Sequence, residues 1–213
     1  MKPTITALRQ ANDRGFSLIE LIVSMVITLV ILGAAVAVFS GALSTRSRES
    51  SKTDAITSAQ AALNVMSREI GNSGYGLSNN GLGWYDGAGV WHTDCTTQFL
   101  RFRANTDNAD ATTTGLGEDV AYYYDTASQS VVRHDNSSGE TSGIINRISN
   151  VAFAYTNYVG TGTPPVGPSD TTGKVTITLT VNLENVQGQP SGQTVTVASD
   201  VTLRNSPYML GQY

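Results

Sequence analysis

From Phe16 to Leu43 the chain is apolar or small at every position except Glu20 and a few hydroxyl residues, and no other charge occurs between Arg14 and Arg46. Wound at 1.5 Å per residue, the stretch 16–43 measures about 42 Å, more than the roughly 30 Å hydrocarbon core of a bilayer. The pattern then changes without a break. Ile56, Ala59, Leu63, Met66 and Ile70 recur at spacings of three and four, the apolar stripe of an amphipathic helix, while Lys52, Asp54, Asn64, Arg68 and Glu69 lie off it. Gly71 ends the periodicity. The pattern predicts one helix from about Ser17 to Ile70, roughly 80 Å long, apolar in its first half and amphipathic in its second.

Beyond Gly71 the period becomes two. Strand-like runs occupy Phe99–Arg103, Val120–Tyr124, Ser130–Arg133, Ile144–Tyr158, Lys174–Leu183 and Thr194–Arg204. In the fifth, Val175, Ile177, Leu179, Val181 and Leu183 alternate with Thr176, Thr178, Thr180 and Asn182, as a half-buried strand requires. Val195, Val197, Val201 and Leu203 share one parity across the loop 187–192, which predicts a hairpin. Strand alternation sends Tyr123 to the face opposite Tyr122 and Tyr124. The Gly-rich stretches 71–89 and 160–173 are expected as surface loops. The fold class is therefore α+β: a long N-terminal helix packed on an antiparallel β-sheet head, with boundaries at 1–15, 16–43, 44–70 and 71–213.

Composition narrows the chemistry. Charged residues make up 14% of 213, with a net charge of −4, and no basic patch suited to nucleic-acid phosphates is present. Direct nucleic-acid binding is not expected. Cys95 is the single cysteine, so no internal disulfide framework exists. The stretch 167–174 departs from a phosphate loop in spacing and is followed by a strand, and no G-x-S-x-G elbow occurs. His92-Thr93-Asp94-Cys95 reads as an ordinary loop or strand edge. Asp107, Asp110, Glu118 and Asp119 cluster within thirteen residues and offer the hard oxygen ligands that calcium prefers, although their spacing is not that of an EF-hand. No cofactor and no catalysis are expected.

Ahead of the apolar stretch lies a polar leader, 1–15, with Lys2, Arg9 and Arg14 against Asp13. The stretch is too long for the h-region of a conventional signal peptide. A carboxylate about one turn inside such a span costs roughly 2.5 to 3.5 kcal/mol on insertion scales and calls for a partner. The string Arg14-Gly15-Phe16-Ser17-Leu18-Ile19-Glu20-Leu21 resembles the type IV pilin and pseudopilin family, whose class III leader ends in Gly and is followed by Phe, apolar residues and Glu.

The resemblance implies that a prepilin peptidase cuts between Gly15 and Phe16 and methylates the new amino terminus of Phe16. It also implies that Glu20 pairs with the amine of a neighbouring subunit on assembly. Residue 15 lacks a side chain, so an extended backbone can enter a protease cleft closely. Cleavage creates an amine about 6 Å along the helix from Glu20. The stretch Met66 to Gly76 is similar, more loosely, to PilW-type minor pilins and J-type pseudopilins. No Pro occurs between Phe16 and Ile70, unlike many major pilins.

The expected function is that of a minor type IV pilin, a structural subunit that primes assembly of a pilus or sits at its tip. The alternatives are a type II secretion pseudopilin, and a membrane-anchored adhesin or major pilin. The implied partners are the prepilin peptidase, other minor and major pilins or pseudopilins, an inner-membrane assembly platform and membrane lipid. The implied location is a single inner-membrane span with a periplasmic head, then a pilus or pseudopilus at the cell surface, serving adhesion, twitching movement, DNA uptake or secretion.

Overall fold

The computed structural model describes residues 15–107, 112–158, 167–183 and 191–211. One continuous helix, α1 (Leu18–Ile70, 53 residues), opens it, without the proline that would interrupt the i to i−4 ladder. The chain divides into two units, one ending at Arg46 and one beginning at Ser47.

In the first unit every large apolar side chain from Phe16 to Leu43 is exposed. α1 is the one helix among the described residues that is long and apolar enough to cross a membrane. Its hydroxyls are satisfied within the helix. Ser24 Oγ donates to Leu21 O at 2.9 Å, Thr28 Oγ1 to Ser24 O at 2.7 Å, and Ser44 and Thr45 both to Gly41 O. Such back-bonding leaves these polar groups paired within the helix itself.

In the second unit the rest of α1 packs on antiparallel sheets, an α+β arrangement. Ala55, Ala59, Ala62, Leu63, Met66 and Ile70 are its buried residues. Ala55 and Ala62 join the expected stripe, whereas Ile56 is only half-buried at its edge. Small residues let the helix lie close to the sheets, and Leu63, Met66 and Ile70 each contribute about 1.5–3 kcal/mol of burial.

The strands are β1 (Trp84–Tyr85), β2 (Trp91–His92), β3 (Phe99–Arg103), β4 (Asp119–Asp125), β5 (Ser130–Asp135), β6 (Thr141–Ile145), β7 (Ile148–Asn157), β8 (Thr172–Asn182) and β9 (Thr194–Thr202). They form a β1-β2 hairpin, a four-stranded sheet β3-β4-β5-β6 and a three-stranded sheet β7-β8-β9. A short helix, α2 (Pro207–Leu210), follows. One core joins helix and sheets: Met66, Ile70, Leu100, Tyr122, Phe153 and Ile177 are all at most 1% exposed. The β8 register places Val175 on Val201 and Leu179 on Val197, so the expected hairpin forms. The residues 184–190 of its loop lie outside the described set.

Two expectations are corrected. The run Ile144–Tyr158 is two strands, because Arg147 adopts a left-handed conformation (φ 59°) and reverses the chain from β6 into β7. Its carbonyl accepts the Asn182 N–H at 2.7 Å, and the neighbouring Ile148 N–H donates to Gln129 O at 2.8 Å. These bonds compensate for a conformation that non-glycine residues seldom adopt.

The stretch 71–89 is not simply a surface loop. Ser73, Asn80 and Leu82 are buried in it, and it contains β1. Asn80 is the cause. Its Nδ2 faces Ser169 O at 2.8 Å, Thr172 O at 3.1 Å and Asp170 O at 3.3 Å, and its Oδ1 accepts the Leu82 N–H at 3.1 Å. Ser73 Oγ donates to Asn80 O at 2.6 Å. Gly81, at φ +77°, makes this possible, since a Cβ there would fall 2.2 Å from Arg103 O.

Candidate processing and assembly site

Gly15, Phe16 and Ser17 precede the helix instead of extending it. The new amine expected at Phe16 therefore sits on unwound chain, and the 6 Å helical spacing to Glu20 does not apply. A Cβ built on Gly15 meets nothing within 4 Å, and Phe16 is 89% exposed. The backbone on both sides of the expected cut is open to an external cleft.

Ser17 O accepts the Leu21 N–H at 3.1 Å, the first bond of the helical ladder. This makes Ser17 the N-cap and Glu20 the third residue of the helix. Glu20 Oε2 reaches back and accepts the Ser17 N–H at 3.0 Å, the carboxylate half of a capping box. The acid also sits where the helix dipole favours negative charge. Burial cost calls for a partner, and the contact present in the single chain is with the residue's own helix. The signal was in the sequence, since Ser-x-x-Glu before an apolar run is the capping-box pattern.

Two shallow apolar grooves run along this part of α1. Phe16, Ile19, Val23 and Ile27 line one of about 360 Å³ together with Glu20 and Ser24. Ile31, Ala34, Ala35, Val38, Phe39 and Ala42 line another of about 550 Å³. Both repeat at helical spacing, and the alanines of the second allow another helix to approach closely.

The acidic residues offered for calcium are placed as follows. Glu118 is 1% exposed. Its Oε1 accepts the N–H groups of Thr106 (2.6 Å) and Asp107 (3.1 Å), and its Oε2 that of Gly115 (2.9 Å). Asp119 accepts Arg101 Nε at 2.7 Å and its terminal nitrogen at 2.6 Å, with Asn136 Nδ2 at 3.2 Å. Those oxygens are thus turned to N–H donors. Asp110 lies outside the described residues. Among the described residues no group of three or more His, Cys, Asp or Glu side chains is arranged to hold a metal ion.

The backbone N–H of Asp107, followed by those of Gly115 and Thr106, holds the Glu118 carboxyl below the ordinary glutamate value, against burial. A depressed folded pKa stabilises the fold above the unfolded value of about 4.3 and stops doing so as pH falls through the folded one. Glu118→Gln should therefore melt below the wild type at pH 7, with the gap narrowing towards pH 3. Thermal denaturation of the full chain in detergent at the two pH values checks this, and a gap independent of pH contradicts it.

The remaining candidates separate in space. His92 Nε2 pairs with Asp86 Oδ2 at 2.9 Å, and Asp94 pairs with Arg101 at 2.9 Å. Cys95 is buried, with Sγ 3.1 Å from Arg101 O, and burial pushes its thiol pKa up. Tyr122 is buried with its hydroxyl donating to Glu69 Oε2 at 2.8 Å, while Arg133 Nε donates to the same oxygen at 2.9 Å. Tyr124 donates to Ile148 O at 3.0 Å, and Tyr123 stacks on Phe99. Glu69 had been assigned only to the polar side of the stripe.

A family model described as the prokaryotic N-terminal methylation motif matches residues 10–36, which include Gly15, Phe16 and Glu20. No curated protein and no solved structure gives a significant match.

Proposed function

We propose, from the N-terminal methylation motif matched over residues 10–36, that the chain is a minor type IV pilin whose class III leader is 1–15. It is a non-catalytic structural subunit that primes pilus assembly or sits at the pilus tip. The observation that carries the reading is the single acid, Glu20, set just inside an exposed apolar span beside an accessible Gly15–Phe16 bond. Prepilin peptidase removes 1–15 and methylates Phe16. The subunit waits in the inner membrane with its head in the periplasm. It then leaves through an assembly platform, exchanging lipid contacts along 16–43 for packing against neighbouring pilin helices.

The minor role is supported by the absence of proline between Phe16 and Ile70 and by the likeness of 66–76 to PilW-type subunits. The same leader serves type II secretion pseudopilins, so the deletion phenotype is decisive. Loss of piliation with secretion intact supports the pilus reading, and loss of secretion with pili intact replaces it with the pseudopilin.

The test of mechanism is Glu20→Ala. This variant should be inserted and processed to a Phe16 terminus, because it removes a costly charge from the span, but should be absent from sheared filaments. Mass spectrometry gives the terminus, and immunoblotting of sheared and membrane fractions gives incorporation. Incorporation at the wild-type level overturns the pairing role of Glu20.

A further inference from the structure

The contact between Ser17 and Glu20 is built to outlast processing. The bond proposed for cleavage joins Gly15 to Phe16, whereas the donor to Glu20 Oε2 is the N–H of the Phe16–Ser17 peptide. Removing 1–15 leaves donor and acceptor together. Ser17 N engages Oε2, so the second oxygen of the exposed Glu20 side chain keeps its own lone pairs for a further donor.

We propose that Ser17 is the positioning residue for Glu20, holding the carboxylate through one oxygen in its own chain and presenting the other to the amine of an incoming subunit. This rests on the assembly role of Glu20 and adds how that side chain is made ready. A glutamate on an apolar helix samples many rotamers, and only some aim its charge at the helix end. The reach-back bond orders it before the partner arrives, while the subunit is stored in lipid. Pairing with an amine then adds a donor without breaking the cap. Glu20 lines the groove with Phe16, Ile19, Val23 and Ile27, an apolar face suited to another helix.

The donor is a backbone group, so the serine hydroxyl is dispensable and the N–H is not. Ser17→Ala keeps the N–H. Ser17→Pro removes it, while proline's fixed φ suits the extended residue ahead of a helix. In cells carrying the full-length chain, Ser17→Ala should enter filaments at the wild-type level and Ser17→Pro about tenfold less, the worth of one charge-assisted bond. Equal incorporation of the two variants, with Glu20→Ala still excluded, overturns the positioning role and leaves the assembly reading standing. Normal incorporation of Glu20→Ala overturns both.

Should Ser17→Pro escape processing, the contact is read directly. The carboxylate stretch of the ¹³C-glutamate-labelled full chain in detergent, taken as a difference against Glu20→Gln, should shift in Ser17→Pro and not in Ser17→Ala. An unshifted band in the proline variant overturns the proposal.

Discussion

Gly15→Val leaves the leader attached to the whole population of chains, seen as one slower band on a gel and as an intact 1–15 segment by mass spectrometry. The reason lies outside the fold. A Cβ at position 15 meets no atom within 4 Å, and the backbone there is not helical, so valine costs the folded chain nothing. What it changes is access. A peptidase must lay the chain extended across its catalytic groups, and a β-branched side chain next to the scissile carbonyl keeps the backbone from approaching as glycine does. The variant should therefore accumulate in the membrane at normal abundance and melt like the wild type. Processing at the wild-type rate would remove the peptidase from the account. Low abundance would instead locate the defect in folding, which the open surroundings of Gly15 exclude.

Asn80→Asp should be the most damaging single change in the head, although it alters the side chain by one atom. Asn80 is fully buried, and its Nδ2 is turned to the carbonyls of Ser169, Asp170 and Thr172. Aspartate keeps the size and the Oδ1 acceptor for Leu82 N–H, but points an anionic oxygen at three carbonyl oxygens. Losing donors to buried acceptors costs about 1–3 kcal/mol each, and an uncompensated buried charge costs about 3–5 kcal/mol. A loss of at least about 4 kcal/mol is expected at neutral pH, equivalent to a fall in Tm of about 10 °C.

The sign of the pH response follows from the same contacts. The mutant carboxyl is pushed up in the folded state, so acidification protonates it, restores an O–H donor and recovers part of the loss. Thermal unfolding of the full chain in detergent at pH 7 and pH 5 tests both claims. A mild defect without pH dependence would show that Asn80 acts by shape alone.

These two positions mark what the sequence discloses and what it hides. The helix was legible because an unbroken apolar run to Leu43 leads into a stripe at spacings of three and four from Ile56 to Ile70, with no proline between. Strand β8 was equally plain, since Val175, Ile177, Leu179 and Val181 alternate with threonines. The Ile144–Tyr158 run was not: it is rich in β-branched and aromatic residues, and the reversal at Arg147 uses neither Gly nor Pro. Bonds to Asn182 and Gln129, distant in the chain, help to hold it.

The loop after α1 misled for a related reason. Its glycines and asparagines imitate solvent-facing composition, yet Asn80 is paired with backbone some ninety residues later. A polar residue buried by distant partners leaves no local periodicity. The Ser17–Glu20 cap is readable in principle, since Ser-x-x-Glu stands directly before the apolar run, but a charge in such a run and the family resemblance both direct the eye to the new amine instead.

Glu69 has a mechanical corollary. It sits in the last turn of α1 and grips Tyr122 on β4 and Arg133 on β5, the two interior strands of their sheet. Tension drawn along the rod is thereby delivered to strands bonded on both sides, where rupture needs many ladder bonds to fail at once, and not to an edge that peels one rung at a time.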